Sequence, residues 1–120
     1  MPKRSPREVL DDHLRLRAAG DIEADLARNY APDVVLLCEC GGLHGLDAMR
    51  KSAADLREQL PNARFDYRLH EVEGEYGYLR WSAGSDPCRV PDGADSYVIR
   101  DGQIVMQSIY YPLEPEGCAS

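Results

Sequence analysis

The sequence predicts an α+β domain in which three N-terminal helices pack on one face of a strongly curved, mixed or antiparallel sheet. In the first half of the chain, apolar residues recur at intervals of three and four, which is helical spacing. In the second half they alternate with polar residues, as in strands that have one buried face. The predicted order is helix, helix, strand, helix and then four strands, a layered arrangement around one core.

The first two helices are defined by their ends. Ser5 is a suitable N-cap, Pro6 fits the first helical turn, and Glu8 can complete a capping box. Gly20 is expected to end the first helix in a left-handed conformation, and Asp21 is expected to cap the second. The two helices should therefore form a hairpin.

The first strand and the third helix follow. Residues 34–38 are apolar without alternation, as in a strand that is covered on both faces, and the glycines at 41–42 should end it. A third helix is predicted from about Leu46 to Leu60, because apolar residues recur there at helical spacing.

The remaining segments are predicted to be antiparallel strands. Residues 65–70 and 76–81 follow a period of two, whereas residues 84–93 have the composition of a loop that could border a pocket. Asp101-Gly102 lies between two apolar runs and is typical of a two-residue hairpin turn with positive φ.

Composition and charge limit the possible functions. We expect one domain over residues 1–120, with a frayed tail from about residue 113, since 43% apolar and 29% charged residues are typical of a globular protein. A net charge of −7 argues against a nucleic-acid partner. No apolar run is long enough to cross a bilayer, and the N-terminus lacks the apolar stretch of a secretory signal. We therefore expect a cytoplasmic protein that does not bind membranes.

The four cysteines, at positions 38, 40, 88 and 118, are predicted to be free thiols. Disulfides are not expected in a chain without an export signal, and the spacing is not that of a small disulfide-stapled fold. Cys38, Cys40 and His44 form a Cys-x-Cys-x3-His pattern, but no second pair of residues completes a zinc site. We expect no metal.

His13 is the residue that the helical pattern singles out. It lies among Val9, Leu10 and Leu14 on the apolar stripe of the first helix, so its imidazole is expected to be buried. A buried histidine titrates near neutral pH and can both donate and accept hydrogen bonds, which suits a catalytic site. The alternative is a structural histidine that bonds a backbone carbonyl or another side chain.

Several short motifs, together with the order of elements, resemble a known family. The motifs are Ala-Ala-Gly-Asp at 18–21, Tyr-Ala-Pro-Asp at 30–33, Gly45 before the third helix, and Arg-Asp-Gly-Gln-Ile-Val at 100–105. Over about residues 6–112 the chain resembles the NTF2-like superfamily, and within it the SnoaL-like polyketide cyclase and ketosteroid isomerase branch. The resemblance implies a cone with a deep apolar cavity, often in a dimer that pairs through the sheet. It does not define the reaction, because this fold hosts enzymes and binding domains.

The resemblance also implies positions for a catalytic site. When the chain is registered on residues 20–21, the phenolic donor of the isomerases falls on His13. When it is registered on the hairpin at 100–102, their protonated acid falls on Asp95. Their carboxylate base falls on Cys38, a departure from the pattern, because a thiol is a poor general base. His13 could then be the base if Asp95 orients its ring.

The ligand is expected to lie among aromatic and apolar side chains, which in a cone both fill the core and line the cavity. The candidate substrate-binding residues are Trp81, Tyr97, Tyr110, Tyr30, Leu14 and Met106. Asp95 has a structural alternative, as a strand residue that bonds the loop after Gly84.

Two functional hypotheses remain. The first is an enzyme that carries out a cyclisation, isomerisation or dehydration on an apolar carbonyl or polyketide-like substrate, by acid–base catalysis without a cofactor. The second is a non-catalytic small-molecule-binding or dimerisation module in which His13 and Asp95 only satisfy one another. The expected partners are a small apolar ligand and a second copy of the chain, paired through the sheet.

Overall fold

The computed structural model describes residues 3–85 and 88–114, which form three helices and a six-stranded mixed sheet. The strands lie in the order β2-β1-β6-β5-β4-β3, with β1 and β6 parallel and the other neighbours antiparallel. The elements are α1 (Pro6–Ala18), α2 (Ile22–Asn29), β1 (Tyr30–Cys38), β2 (Gly41–His44), α3 (Leu46–Gln59), β3 (Arg64–Glu73), β4 (Tyr76–Gly84), β5 (Arg89–Arg100) and β6 (Gln103–Tyr110).

The α+β class and the order of the predicted elements are confirmed, with two differences. The glycines at 41–42 do not simply end β1, because they begin the short strand β2, which pairs back on β1. The sheet is also not strongly curled, contrary to expectation. Strands β2 and β3 are its two edges, so the sheet remains open.

The predicted helix ends are present. The Ser5 hydroxyl accepts a hydrogen bond from the Glu8 backbone N–H at 3.1 Å, and the Glu8 carboxylate accepts one from the Ser5 N–H at 2.8 Å. Gly20 has a φ of +76°, and the Asp21 side chain caps α2 by accepting from the Ala24 N–H. These contacts position the buried faces of α1 and α2 against the sheet.

Strand β1 is covered on one face only, so the prediction of a strand buried on both faces is wrong. Val34 and Leu36 are buried, whereas Val35 and Leu37 are 40% and 46% exposed. All three helices lie on the side of the sheet to which Val34 and Leu36 point. The opposite face therefore has no cover among the described residues.

Strand β5 begins earlier than predicted, and the loop before it is correspondingly shorter. Val90 pairs with Ala83 and Gly93 pairs with Trp81, so most of the segment expected to be a loop belongs to the sheet. At the other end of β5 the predicted hairpin turn is present, with positive φ at both Asp101 and Gly102.

The cysteines differ from the prediction of free thiols. Cys38 and Cys40 are joined by a disulfide, and Cys88 is also disulfide-bonded, while Cys118 lies outside the described residues. Cys38 and Cys40 flank a single residue at the start of the β1–β2 hairpin, so the fold brings their side chains together. Within residues 3–85 and 88–114, no cluster of three metal-ligating side chains is present.

The end of the described chain is attached to the fold. Leu113 packs against the core and the Glu114 N–H donates to the Arg89 carbonyl, so the first two residues of the expected frayed tail are held in place. The rest of that tail lies outside the described residues.

None of the helices found in the described ranges combines the length and the apolar character that a bilayer crossing needs.

Candidate functional site

A cavity of about 350 Å³ lies between α1, α3 and the helix-covered face of the sheet. Its walls are mostly apolar and aromatic, and a group of polar side chains lies at one end. Residues on the wall include Leu14, Met49, Leu56, Phe65, Trp81 and Ile109. The polar group consists of His13, Arg17, Asp95, Tyr97 and Gln107. An apolar pocket with a few convergent polar groups is the usual form of a small-molecule site.

His13 is 3% exposed and has a partner at each ring nitrogen. Its Nδ1 lies 2.8 Å and 3.0 Å from the two carboxylate oxygens of Asp25, and its Nε2 lies 3.2 Å from the hydroxyl of Tyr97. Because an ionised carboxylate can only accept, Nδ1 carries the proton in this pair. Nε2 therefore accepts a hydrogen bond when the ring is neutral and donates one when it is protonated.

Asp25 is the fully buried carboxylate that orients His13. It also accepts hydrogen bonds from Arg17 Nε at 2.6 Å and from Asn29 Nδ2 at 2.9 Å. Burial raises the pKa of Asp25, but the bonds and charges of His13 and Arg17 outweigh this effect and hold that pKa below its usual range. An ionised carboxylate beside an imidazole determines which nitrogen is protonated and stabilises the imidazolium once it forms.

Asp95 is a second buried carboxyl group with a different environment. It accepts from Trp81 Nε1 at 3.1 Å and from Gln107 Nε2 at 3.0 Å, and the Tyr97 hydroxyl lies 3.4 Å from it. Burial raises the pKa of Asp95 above its usual range, against the effect of these hydrogen bonds. The pKa values of Asp25 and Asp95 are therefore shifted in opposite directions. In enzymes, such a difference allows one carboxyl group to act as an acid while the other stays ionised.

The polar residues form a closed ring of hydrogen bonds. The Tyr30 hydroxyl donates to the Gln107 side-chain carbonyl and lies 3.5 Å from Arg17 Nη2. In order, the ring passes through Arg17, Asp25, His13, Tyr97, Asp95, Gln107 and Tyr30. Across the described ranges, each buried side-chain nitrogen and oxygen has a hydrogen-bond partner. The ring thus satisfies groups that would otherwise be costly to bury.

Tyr97 is the link through which a proton can move. Burial raises the pKa of Tyr97 well above its usual value, so its hydroxyl keeps a proton to donate. That hydroxyl can donate to a neutral His13 while Asp95 is protonated, or it can accept from an imidazolium and donate to an Asp95 carboxylate. Both arrangements have the same total charge, so exchange between them does not add a net charge to this buried region.

Five of the predicted site residues line this cavity, but their pairing differs from the expected one. They are His13, Asp95, Trp81, Tyr97 and Leu14. The expected direct pair of His13 and Asp95 is absent, because Tyr97 lies between them and Asp25 occupies the other ring nitrogen.

The other four predicted residues lie outside the cavity wall. Tyr30 is buried behind it, and Met106 faces the opposite side of the sheet because its neighbour Gln107 points inward. Tyr110 and Cys38 border a different cavity near the end of β1, and Cys38 is bonded to Cys40. A disulfide sulfur has no thiolate with which to act as a base.

The sequence prediction missed Arg17, Asp25, Asn29 and Gln107. A signal for Asp25 was present, because it follows Ile22 by three residues and precedes Leu26 on the buried side of α2. This is the same kind of anomaly as His13, an ionisable residue on an apolar face. Arg17 lies four residues after His13, on the same face of α1.

Solved structures with the same fold include bacterial proteins of low sequence identity. An NTF2-like protein of unknown function from Burkholderia xenovorans is 21% identical, with a TM-score of 0.72 over 93% of this chain and 88% of that one. A candidate polyketide cyclase from Sinorhizobium meliloti is 18% identical, with a TM-score of 0.72 over 86% of this chain and 94% of that one. At such identities the likeness shows the fold alone.

A third neighbour, from Mesorhizobium loti, is described as a candidate SnoaL-like polyketide cyclase. It is 18% identical, with a TM-score of 0.65 over 90% of this chain and 100% of that one. The chain has no match among curated protein sequences. The sequence model of the SnoaL-like domain matches residues 10–107, which include most of α1, all of α2 and α3, nearly the whole sheet and the ring of polar residues. The chain therefore belongs to the SnoaL-like domain family of the NTF2-like superfamily.

Proposed function

We propose that this protein is an enzyme that carries out a cyclisation, isomerisation or dehydration of a small apolar carbonyl or polyketide-like compound, by acid–base catalysis without a cofactor. One observation carries the proposal. His13 is buried at the wall of an apolar cavity, with Asp25 on one ring nitrogen and the Tyr97 hydroxyl on the other. This arrangement supplies a base, its orienting carboxylate and a hydroxyl donor in one place.

The proposed roles follow from the hydrogen bonds. A bound carbonyl compound replaces the bond between His13 and Tyr97, so that Nε2 is free to take a proton from the carbon next to the carbonyl group. Asp25 then stabilises the resulting imidazolium. The Tyr97 hydroxyl and the Asp95 carboxyl group, whose pKa burial raises, donate to the oxygen as it gains negative charge. Return of the proton at another atom completes an isomerisation.

The substrate class draws its support from the cavity and from two relatives. Aromatic and aliphatic side chains next to the polar group of His13, Asp95 and Tyr97 favour a largely apolar molecule with one oxygen function. Two of the structural neighbours are described as candidate polyketide cyclases. The carbonyl end is proposed to lie beside Tyr97 and Asp95.

Deuterium exchange into an enolisable ketone tests the acid–base role. We expect the wild-type protein to accelerate exchange at the α-carbon of 2-tetralone in D₂O, followed by NMR. His13→Gln should reduce the accelerated rate by about a hundredfold or more, because the proton acceptor is lost. His44→Gln is the matched control, since His44 is exposed on β2.

Two outcomes would count against the enzyme. Exchange at the wild-type rate in a folded His13→Gln protein would exclude His13 as the base. No acceleration by the wild-type protein, despite binding of the ketone, would favour the non-catalytic alternative.

That alternative, a binding module, is favoured by the completeness of the hydrogen-bonded ring. In this case the members of the ring only satisfy one another, and the triple variant His13→Leu, Arg17→Met and Asp25→Leu, which removes the carboxylate together with both of its cationic partners, should keep its ligand affinity. A buried ion pair can often be replaced by apolar side chains without loss of stability when both partners are changed.

A further inference from the structure

A second cavity adjoins the first and is not explained by the proposed chemistry. Its volume is about 550 Å³, and it lies between α3, the end of β1 and the segment that follows β6. The two cavities share three wall residues, which are Ser52, Ile109 and Tyr111. They are therefore neighbours that these side chains separate.

Tyr111 is the large side chain of this shared wall. Its hydroxyl donates to Gln59 Oε1 at 2.6 Å, which attaches it to α3. Its ring centroid lies 5.7 Å from that of Trp81, with an angle of 48° between the rings, so it also contacts β4. Burial raises the pKa of Tyr111, in keeping with a neutral hydroxyl that donates this bond.

Tyr111 lies outside the helices and strands, unlike the other shared residues. Ser52 belongs to α3 and Ile109 to β6, whereas Tyr111 comes directly after β6, in a segment without regular structure. Three residues further on, this segment is attached to the sheet, because the Glu114 N–H donates to the Arg89 carbonyl. The Tyr111 side chain can therefore rotate away when its hydrogen bond to Gln59 and its packing against Trp81 and the edge of the core are lost.

The chemistry of the second cavity suits a continuation of an apolar ligand. Leu36, Leu43 and Leu113 supply apolar surface, and Lys51 and Asp55 lie at its α3 side. An aliphatic extension would bury its carbons against the leucines, with a favourable free energy proportional to the apolar area removed from water.

We propose that Tyr111 divides one elongated binding site into two compartments and so determines the length of ligand that the protein accepts. The carbonyl end occupies the first compartment, and a long aliphatic substituent enters the second only when Tyr111 moves. The inference rests on the proposed function only in that the first cavity binds a carbonyl compound. It does not require catalysis.

Binding of two aryl ketones tests the partition. Acetophenone and octanophenone share a head group and differ in the length of their alkyl chain. Trp81 is the single tryptophan and lies on the wall of the first cavity, so quenching of its fluorescence reports binding. In Tyr111→Ala we expect the ratio of the octanophenone Kd to the acetophenone Kd to fall at least about tenfold relative to wild type.

Two further variants complete the experiment. Gln59→Leu keeps the Tyr111 ring but removes its hydrogen-bond acceptor, so the ratio should fall by a smaller factor. Glu58→Ala is the control and should leave the ratio unchanged, because Glu58 lies beside Gln59 on α3, is exposed and borders neither cavity. Circular dichroism melting shows that each variant is folded.

The outcomes separate the partition from the catalytic proposal. If Tyr111→Ala and Gln59→Leu both keep the wild-type ratio of the two Kd values, Tyr111 does not divide the site. Loss of binding of both ketones in Tyr111→Ala would also contradict the proposal. A fall in the ratio supports it, even if the protein does not accelerate deuterium exchange. Exchange without a change in the ratio would support catalysis and contradict the partition.

Discussion

At the level of single residues, Asp25 and Asp95 show how two buried carboxyl groups acquire opposite properties. Asp25 faces a guanidinium group and an imidazole, whereas Asp95 faces an indole, an amide and a hydroxyl group. Cations stabilise an ionised carboxylate far more than neutral donors do, so burial prevails at Asp95 but not at Asp25. The division of roles between them depends on these neighbours.

The raised pKa of Asp95 predicts a specific dependence of stability on pH. A carboxyl group whose folded pKa exceeds its unfolded value stabilises the fold below the unfolded pKa, and this contribution is lost as the pH rises through the folded pKa. The free energy of unfolding of the wild-type protein, minus that of Asp95→Asn, should therefore be largest in acid and decrease as the pH rises above the unfolded pKa of an aspartate, about 4. Urea unfolding of both proteins at several pH values measures this difference in the free energy of unfolding.

The control for this measurement is Ser96→Ala, a change on the same strand that removes no titratable group. Its difference from wild type should stay constant across the same pH range. An Asp95→Asn difference that increases with pH would contradict a raised pKa for Asp95.

At the level of elements, the pairing of β4 with β5 positions Trp81 over the cavity. Gly93 is the strand partner of Trp81, and a Cβ atom placed at Gly93 would lie 2.4 Å from the indole ring. The absence of a side chain at Gly93 thus allows the indole to lie over β5 and donate to Asp95. One glycine on one strand sets the position of a side chain that extends from the next.

Gly93→Ala should therefore displace Trp81. We expect a loss of about 1–3 kcal/mol in the free energy of unfolding, as for overpacked buried sites, together with a shift in the tryptophan emission spectrum. Gly84→Ala is the matched control, because a Cβ atom at Gly84 meets nothing within 4 Å. Equal stability and equal emission spectra for the two variants would contradict this role.

Strand β1 shows why an element can be predicted correctly and its surroundings wrongly. The run of apolar residues from Val34 to Leu37 predicts a strand, and the strand is present. The same run has no alternation, so its sequence does not indicate that only one face is covered. The number of layers that pack on a strand is a property of the whole fold.

At the level of the whole molecule, the uncovered face of the sheet has an apolar area that includes the exposed side chains of Val35, Leu37, Tyr76 and Tyr78. One row across β1, β6, β5 and β4 consists of Val35, Met106, Val98 and Tyr76, and the next consists of Leu37, Ser108, Ser96 and Tyr78. Exposed apolar surface of this extent often marks an interface. We propose that a second copy of the chain covers this face, as the pairing through the sheet expected from the sequence would require.

Leu37→Glu tests this assembly. A charge within such an interface should shift the protein from dimer to monomer in sedimentation velocity, because a buried unpaired carboxylate is costly. Asp47→Lys, on the exposed surface of α3, is the control and should leave the mass unchanged. A monomeric wild-type protein, or a dimer that persists in Leu37→Glu, would contradict the proposal.

Local chemistry allowed much of this protein to be predicted from its sequence. The capping box at Ser5, the left-handed Gly20 and the hairpin turn at Asp101-Gly102 are all confirmed. Each depends on residues within a few positions of one another, so their types suffice to specify the geometry. His13 was identified in the same way, from its place on a helical stripe.

The partners of His13 were decided only by the tertiary structure. Asp25 is 12 residues away along the chain and Tyr97 is 84 residues away, so their contacts depend on how α2 crosses α1 and how β5 is placed in the sheet. The sequence alone determined which residue was anomalous and that something must satisfy it. Which carboxyl group does so, and which side chains face the cavity, follow from packing and strand register, which no local pattern encodes.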